Sequence, residues 1–316
     1  MMNSFTFKFL FLAGLLFTQM QQLKAQQEDA FAQFMYYKQA INPANTGSSP
    51  GINITGLVRN QWIGLNGAPK WQSLLFSMPL LNNRVGLGGN IYRHTIGITR
   101  ITGLDGSYAY RIPVPRGFLS LGLQTSVRFM QQNFGLVTGT QPIEQDESIP
   151  IGLQSKYLPN FGAGIYYETK RAYAGISVPR LLRANIDFSD KGQLITKETQ
   201  HYYFMAGVAI PLGDSWELNP QTLWRYLPNA PFDADINLSA IFRRKISGGI
   251  SYRIGSETAI LSTGMQLGDH LHLGMAFEAS FTEIQKYNSG TAEVVIRYFL
   301  ASKKGENAEA VTPRFY

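Results

Sequence analysis

Residues 119–129 read LSLGLQTSVRF: each odd position carries an apolar side chain or a threonine, and each even position a glycine or a polar side chain. Successive side chains of a β-strand point to opposite faces, so this segment has one face suited to lipid and one suited to a polar interior. The alternation recurs at 84–91 and at 235–243. A soluble protein can contain one such strand, but repetition predicts a β-barrel of the outer membrane.

Fourteen segments of this kind follow one another along the chain. They are 51–59, 70–78, 84–92, 102–111, 117–129, 160–168, 171–178, 200–210, 215–224, 234–243, 246–253, 258–267, 270–280 and 290–299. Short turns alternate with longer connections such as 93–101 and 130–159, and short turns face the periplasm in bacterial barrels. The sequence predicts an all-β fold, a transmembrane antiparallel β-barrel of about 14 strands with an N-terminal plug or cap segment.

The first 25 residues have the layout of a secretory signal peptide, with Lys8, an apolar run at 9–17 and a small residue, Ala25, at the expected cleavage site. No later segment reaches the roughly 20 apolar residues that a spanning helix requires. We expect four regions: a signal peptide at 1–25, an N-terminal periplasmic or plug segment at 26–50, the barrel at 51–300, and a C-terminal tail at 301–316. The chain has no cysteine, which excludes a lipoprotein signal, disulfides and thiolate chemistry.

The charges argue against a nucleic-acid partner. Removal of Lys8 and Lys24 from the 28 basic residues leaves 26 against 21 acidic residues, a net charge of +5, and the basic residues are scattered along the chain. Nucleic-acid binding requires a basic patch. The alternation instead predicts that polar side chains face the lumen while the apolar face contacts outer-membrane lipid. The arginines expected in the lumen are Arg111, Arg128, Arg243, Arg253 and Arg297.

The sequence contains little that suggests catalysis. His270 and His272 share a strand face at i and i+2, but no third metal ligand has a recognisable spacing. Ser262, on the neighbouring strand, would form a hydrolase site only if a serine, a histidine and an acidic or amide group converged. We therefore expect no catalytic residues, no metal and no cofactor, and a barrel hydrolase is a lesser alternative.

Residues 59–72, RNQWIGLNGAPKWQ, combine two tryptophans with a loop that contains glycine and proline, at what the topology makes the outer rim. Aromatic side chains on a rigid loop are suitable anchors for a binding partner. An aromatic belt at the membrane interface would use the same residue types. The residues predicted to bind a partner are Arg59, Asn60, Gln61, Trp62, Gly64, Gly67, Pro69 and Trp71.

Five blocks of the sequence, taken in order, resemble the PorP/SprF family. They are Asn42-Pro43-Ala44 with Gly47, RNQWIGLNGAPKWQ at 59–72, VGLGGNI at 85–91, SYAYRI at 107–112 and FGAGIYYETKRAYAGISVPRLL at 161–182. Members of this family are outer-membrane barrels of the type IX secretion system of Bacteroidetes, which exports proteins that carry a C-terminal sorting domain and, in gliding species, surface adhesins. The resemblance marks Asn42, Pro43 and Gly47 as a motif of the N-terminal segment.

The resemblance implies a non-enzymatic secretion component of the outer membrane. Its partners would be other type IX secretion components and cargo with C-terminal sorting domains. The alternative is an outer-membrane channel or transporter for hydrophobic small molecules, which also combines such a barrel with an N-terminal hatch. That function requires an apolar pocket in the lumen, and polar-face residues such as Arg84, Asn90, Asp105 and Gln124 argue against one.

Overall fold

The computed structural model describes residues 30–49, 51–136, 150, 152–186, 188, 198–228 and 230–300. The expected signal peptide, the expected tail at 301–316 and the acidic sequence Glu144-Gln145-Asp146-Glu147, which has the composition of a solvated surface segment, lie outside these residues. Within the described part, no helix has both the length and the apolar character needed to cross a bilayer.

The described strands form one closed antiparallel barrel of fourteen strands, which confirms the predicted fold class. They are β1 Ile52–Asn60, β2 Lys70–Leu80, β3 Val85–Ile96, β4 Thr99–Val114, β5 Gly117–Asn133, β6 Leu153–Thr169, β7 Ala172–Val178, β8 Tyr202–Val208 continued by Ile210–Leu212, β9 Trp216–Tyr226, β10 Asp233–Phe242, β11 Ile246–Arg253, β12 Thr258–Leu267, β13 Leu271–Ser280 and β14 Thr291–Leu300. Ala209 interrupts β8, and both of its parts pair with β9. β1 pairs with β14 from Ile52↔Leu300 to Asn60↔Ala292, which closes the barrel.

The alternation of burial follows the alternation of the sequence. In β5, Leu121 and Leu123 are exposed on the lipid side, whereas Ser120 and Gln124 are buried on the lumen side. The same pattern holds in β10, where Ile236 is exposed. Apolar side chains therefore cover the outside of the wall and polar ones line the inside, as a membrane barrel requires.

The connections define the two rims. At one rim the turns between strands contain two to four residues, and the rim carries the start of β1 and the end of β14. This is the periplasmic rim by the rule that short turns face the periplasm. The opposite, outer rim carries the connections at 61–69, 134–152, 179–201, 227–232 and 281–290.

Two outer connections are shorter than expected. Only Gly97 and Ile98 join β3 to β4, because the strands continue through the residues predicted as a longer loop, and Gly97 has the positive φ that such a tight turn needs. β5 and β6 likewise extend over 130–133 and 153–159, although Pro159 lies within β6. Pairing with a neighbouring strand extends these strands further than their own residue pattern indicates.

The N-terminal residues 30–49, here called the plug, lie inside the barrel. They form one α-helical turn, α1 Lys38–Ile41, flanked by 3₁₀ turns at Phe34–Tyr36 and Pro43–Asn45. Their apolar side chains pack with lumenal residues such as Leu57, Trp71 and Met205 into the protein's buried core. A fourteen-strand barrel is wider than the eight-strand barrels that inward-facing side chains alone can fill, so the plug supplies the missing interior.

One arginine that we expected in the lumen, Arg243, and one that we assigned to the polar face, Arg84, lie in turns instead. Arg243 is exposed in the periplasmic turn after β10, with its guanidinium 5.1 Å from the ring centre of Phe242. Arg84 is exposed in the turn between β2 and β3. Both residues fall just outside their strands, where the alternation no longer determines the direction of a side chain.

Candidate functional site: the plug and the outer rim

The plug packs closely against glycines that face the lumen. A Cβ atom built on Gly122 would overlap the backbone of Pro43 and Ala44, and one on Gly86 would overlap the carbonyl group of Thr46. The other members of this glycine seat contact side chains of the plug. The seat consists of Gly86, Gly88, Gly122, Gly164, Gly175 and Gly274. Since only a residue without a side chain permits such close approach, these glycines shape the wall to the plug.

Asn42, Pro43 and Gly47 lie in the plug's lower half, where Asn42 and Gly47 make polar contacts with the wall. Asn42 is fully buried; its Oδ1 accepts from the backbone N–H of Ala44, and its Nδ2 donates to the carbonyl oxygens of Ile165 at 3.1 Å and Ile176 at 3.3 Å. The side chain caps the 3₁₀ turn that begins at Pro43 and joins that turn to β6 and β7.

Gly47 makes the turn that leads the plug into the barrel wall. Its φ is +69°, and a Cβ there would lie 2.5 Å from the Cα of Gly86, so no side chain fits. Its backbone N–H donates to Ser77 at 2.8 Å, and its carbonyl oxygen accepts from Arg111 at 2.8 Å. Arg111 also pairs with Glu168, so this turn is fixed from two sides of the barrel.

Lys38 is the plug's buried cation. Its Nζ lies 3.6 Å from the ring centre of Tyr173 and makes no hydrogen bond within the described residues. Burial lowers the pKa of Lys38 well below its usual value, and the nearby carboxylate of Glu168 opposes that shift. A cation over an aromatic face is partly compensated for its lost hydration.

The upper end of the plug is held by a carboxylate of the wall. Glu293 accepts from the backbone N–H groups of Ala32 at 2.9 Å and Gln33 at 2.8 Å. Glu293 pairs with Arg59 in the β1–β14 register, one position from the outer end of β1. The plug therefore runs down the lumen, from the outer half at residues 30–33 to the periplasmic rim at Gly47.

Glu293 belongs to a buried network of ion pairs in the outer half of the lumen. Arg59 binds Glu278 with both arms of its guanidinium, at 2.6 and 2.9 Å, and lies 3.5 Å from Glu293. Arg253 joins Glu278 to Asp235, which also accepts from Arg225. Its side chains come from six strands: β14, β1, β13, β11, β10 and β9. Bidentate geometry of this kind gives strong charge-assisted bonds.

The rim loop, residues 61–69, is held at its base and on both flanks. Its ends meet through the Gln61 N–H and the Pro69 carbonyl at 3.0 Å. On one side, Ile63 exchanges two backbone hydrogen bonds of 2.8 Å with Ser289 and Gly290. On the other side, the Gly97 N–H donates to the Gly67 carbonyl at 2.8 Å.

The loop presents apolar side chains to the outside. Ile63 is 40% exposed and Leu65 is 37% exposed. Trp62 is half-buried, and its φ of +50° is uncommon for a bulky residue. Gly64 and Gly67 have φ values of +97° and +73°, which glycine adopts without strain. The loop is therefore a fixed backbone that carries exposed apolar groups.

Two of the eight residues predicted to bind a partner are not on the accessible surface. Arg59 and Trp71 are directly paired in the β1–β2 register, and both are buried in the lumen. Trp71 stacks on Tyr92 with ring centres 4.7 Å apart and meets the edge of Phe31 of the plug at 5.3 Å. Trp71 contacts the plug directly, and Arg59 lies beside Glu293, which binds the plug, so both side chains face the lumen and not the outer surface that we expected for them.

The other six residues lie in or beside the rim loop. Asn60 is exposed at the end of β1, Gln61 is half-buried and Pro69 is buried at the base. Gly64 and Gly67 are exposed at the tip. The structure thus brings Trp62 close to the rim surface and separates it from Trp71.

The histidines do not form a metal centre in the described residues, where no group of three or more histidine, aspartate or glutamate side chains could hold a metal ion. His272 is buried beside Tyr36, with ring centres 4.7 Å apart. His270 lies in the periplasmic turn, and its Nδ1 is 2.9 Å from the carbonyl oxygen of Phe299.

Several residues of the site are absent from the sequence-based prediction. Glu278, Glu293 and Asp235 carry the ion-pair network, and Phe31 and Gln33 carry the plug's upper contacts. The three acidic residues do lie at lumenal positions near the outer ends of their strands, so the alternation alone could have assigned them to the lumen. Their pairing depends on strands that are distant in sequence.

Comparison with solved structures finds outer-membrane barrels of similar outline. The Ralstonia pickettii toluene transporter TbuX is 10% identical, with a TM-score of 0.48 over 82% of this chain and 92% of that one. A Pseudomonas aeruginosa FadL homologue is 12% identical, with a TM-score of 0.44 over 83% and 93%. Omp33 of Acinetobacter baumannii is 6% identical, with a TM-score of 0.48 over 81% and 100%. At these identities the likeness concerns the barrel fold alone.

No curated protein matches the sequence. The family model described as type IX secretion system membrane protein PorP/SprF matches residues 23–298, which is most of the chain. The match includes the plug, the glycine seat and the rim loop. This protein is an outer-membrane β-barrel that belongs to the PorP/SprF family of type IX secretion system membrane proteins.

Proposed function

We propose that this barrel is a non-enzymatic docking subunit of type IX secretion, which binds cargo sorting domains or another secretion subunit at its outer rim. The family supports a role in type IX secretion. The observation that carries the docking role is the rim loop, whose backbone is bonded to neighbours on both flanks while Ile63 and Leu65 remain exposed.

A fixed loop favours binding because little conformational freedom is lost when a partner docks. Trp62 provides a large aromatic surface beside the two exposed aliphatic side chains. Its left-handed backbone conformation is maintained by contacts such as the hydrogen bond from its N–H to Thr291 Oγ1 at 3.2 Å. Residues held in uncommon conformations cluster at functional sites, which supports a binding role for Trp62.

The filled lumen supports docking over transport of hydrophobic small molecules. A cavity of about 60 Å³ remains beside Phe31 and Trp71, and Asp105, Arg180 and Arg225 also line it. An apolar cavity that binds benzene measures about 150 Å³. The space beside the plug is smaller than this and carries charged groups, so it suits neither the size nor the polarity of such a ligand.

The test is to replace Trp62 by alanine and follow a sorting-domain cargo in the medium and on the cell surface. We expect cargo retention and export to fall, because truncation of a contact aromatic typically costs about 2 kcal/mol of binding free energy. Trp216→Ala is the matched control: Trp216 is 50% exposed on the outside of the barrel but lies at the periplasmic rim.

Heat-modifiability on gels measures the folded barrel in both variants. Loss of cargo handling with Trp62→Ala alone, at normal barrel abundance, supports docking at the rim loop. Normal cargo handling by a normally folded Trp62→Ala barrel contradicts it.

A further inference from the structure

The outer surface of β1–β4 carries three cations near the outer ends of the strands. Lys70, Arg93 and Arg100 are exposed and lie at the outward-facing positions of β2, β3 and β4. Lys70 pairs with Thr95, and Thr95 pairs with Arg100, so the two cations flank Thr95 on adjacent strands. Two strand spacings separate them by about 10 Å, and Arg93 lies one outward position below.

Among the residues that the structure describes, this cationic patch, defined as Lys70, Arg93 and Arg100, has no acidic partner. No aspartate or glutamate occupies an outward-facing position of β1–β4, all of whose residues are described. No ion pair joins the three side chains to a carboxylate within the described part of the chain. Three neighbouring cations repel one another, and an anionic ligand would relieve that repulsion.

An apolar groove lies directly below the patch on the same lipid-facing surface. It has a volume of about 440 Å³, and Gly56 forms its floor because this position has no side chain. The exposed side chains around it are Val58, Leu74, Ile91, Val294 and Ile296. Arg93 and Gln72 line its upper end, so the groove and the patch are continuous.

The polarity of this surface changes from row to row, and the rows follow the register of the strands. The row of Gly56, Leu74 and Ile91 is apolar, and the next row towards the outside contains Gln72 and Arg93. The outermost row contains Lys70 and Arg100. An amphiphile with an anionic head and hydrocarbon chains has the same order of polarity along this direction.

We propose that this surface binds a phosphorylated lipid of the outer leaflet, with phosphate on Lys70, Arg93 and Arg100 and an acyl chain in the groove at Gly56. Lysine and arginine suit phosphate because they combine charge with several hydrogen-bond donors. Cationic clusters beside a hydrophobic span recognise anionic lipid head groups in the same way. This site is on the outside of the wall and is independent of docking at the rim loop.

The experiment uses the folded, delipidated barrel in a neutral detergent, with diphosphorylated lipid A as the probe and native mass spectrometry as the readout. We expect the wild-type barrel to retain the lipid, and the triple variant Lys70→Gln, Arg93→Gln, Arg100→Gln to bind it about tenfold more weakly, as expected if about 1.4 kcal/mol of binding is lost. The matched control replaces Arg243, Arg244 and Lys245 by glutamine, which removes the same charge from an exposed periplasmic turn.

A third variant tests the groove separately. Gly56→Leu fills it, and a Cβ at Gly56 lies 3.9 Å from its nearest neighbour, so the wall accommodates the change. We expect this variant to weaken lipid binding with the patch intact. Equal lipid binding by the wild type and the patch variant overturns the proposal. Equal binding of a dephosphorylated lipid, or no retained lipid in the wild type, also overturns it.

Discussion

The two halves of the lumen hold the plug by different means. In the periplasmic half, glycines let the plug's backbone approach the wall closely, and Asn42 fixes the spacing with two hydrogen bonds to the wall. In the outer half, charged side chains surround residues 30–33, and Glu293 binds the plug's backbone directly. Close steric contact cannot be rearranged without moving backbone, whereas ion pairs that share partners can be redistributed. We therefore expect the lower half to define the plug's position and the upper half to be the more easily rearranged.

The largest effect is expected from a side chain placed in the glycine seat. Gly122→Val would overlap the plug's backbone at Pro43 and Ala44, so the plug should leave its position. A cysteine at Thr46, which is fully buried, reports this, because the chain has no other cysteine. We expect the labelling rate of Thr46→Cys by a membrane-impermeant maleimide to rise by about a hundredfold, equivalent to roughly 2.8 kcal/mol of lost protection.

The control for this change is Gly248→Val. Gly248 faces outward, and a Cβ there would meet nothing within 4 Å. In the Gly248→Val barrel, Thr46→Cys should be labelled at the same rate as in the barrel without the valine. If Gly122→Val leaves Thr46→Cys as protected as Gly248→Val does, the lower half of the lumen is not a steric seat.

A smaller, local effect is expected from the ion-pair network. Glu293→Gln retains the shape but replaces one acceptor oxygen by a donor, so only one of the two plug N–H groups keeps a partner. Since a hydrogen bond to a charged group contributes about 1.5–3 kcal/mol, labelling of a cysteine at Ala30 should rise about tenfold. Thr46→Cys should stay protected, because the seat is unchanged.

Glu283→Gln is the control for the network, since Glu283 is exposed on the outer connection and its ion pair in the described part of the chain is with the exposed Lys286. A rise at Thr46→Cys as large as the rise at Ala30→Cys would show that the two halves release together. That result would contradict the conclusion that the two halves of the lumen hold the plug by different means.

The barrel itself is readable from the sequence, because each strand carries its own alternation. The fourteen predicted segments coincide with the fourteen strands, and the main errors lie at their ends. At 130–133 and 153–159 the residues lack clear alternation, yet pairing between β5 and β6 continues. Strand ends depend on the neighbouring strand, which a local pattern does not contain.

The site is less accessible to sequence reasoning. The period of two separates the faces of a strand but does not say whether an aromatic residue faces lipid or lumen. Trp71 is apolar yet lies inside, because the plug makes part of the lumen apolar. The register nevertheless indicates that Trp71 faces the lumen, since it shares its face with Ser73 and pairs with Arg59. The fit between Gly122 and Ala44 depends on tertiary structure that the spacing of glycines does not reveal.

The central claim is that the plug closes the lumen, so that the barrel acts through its surfaces. Conductance of the folded wild-type barrel in a planar lipid bilayer tests it most directly, with Gly122→Val measured alongside. We predict a wild-type current near the baseline and stepwise currents at least about tenfold larger for Gly122→Val, because a barrel of this width without its plug leaves an aqueous channel. Steady wild-type conductance at the level of Gly122→Val would contradict the claim.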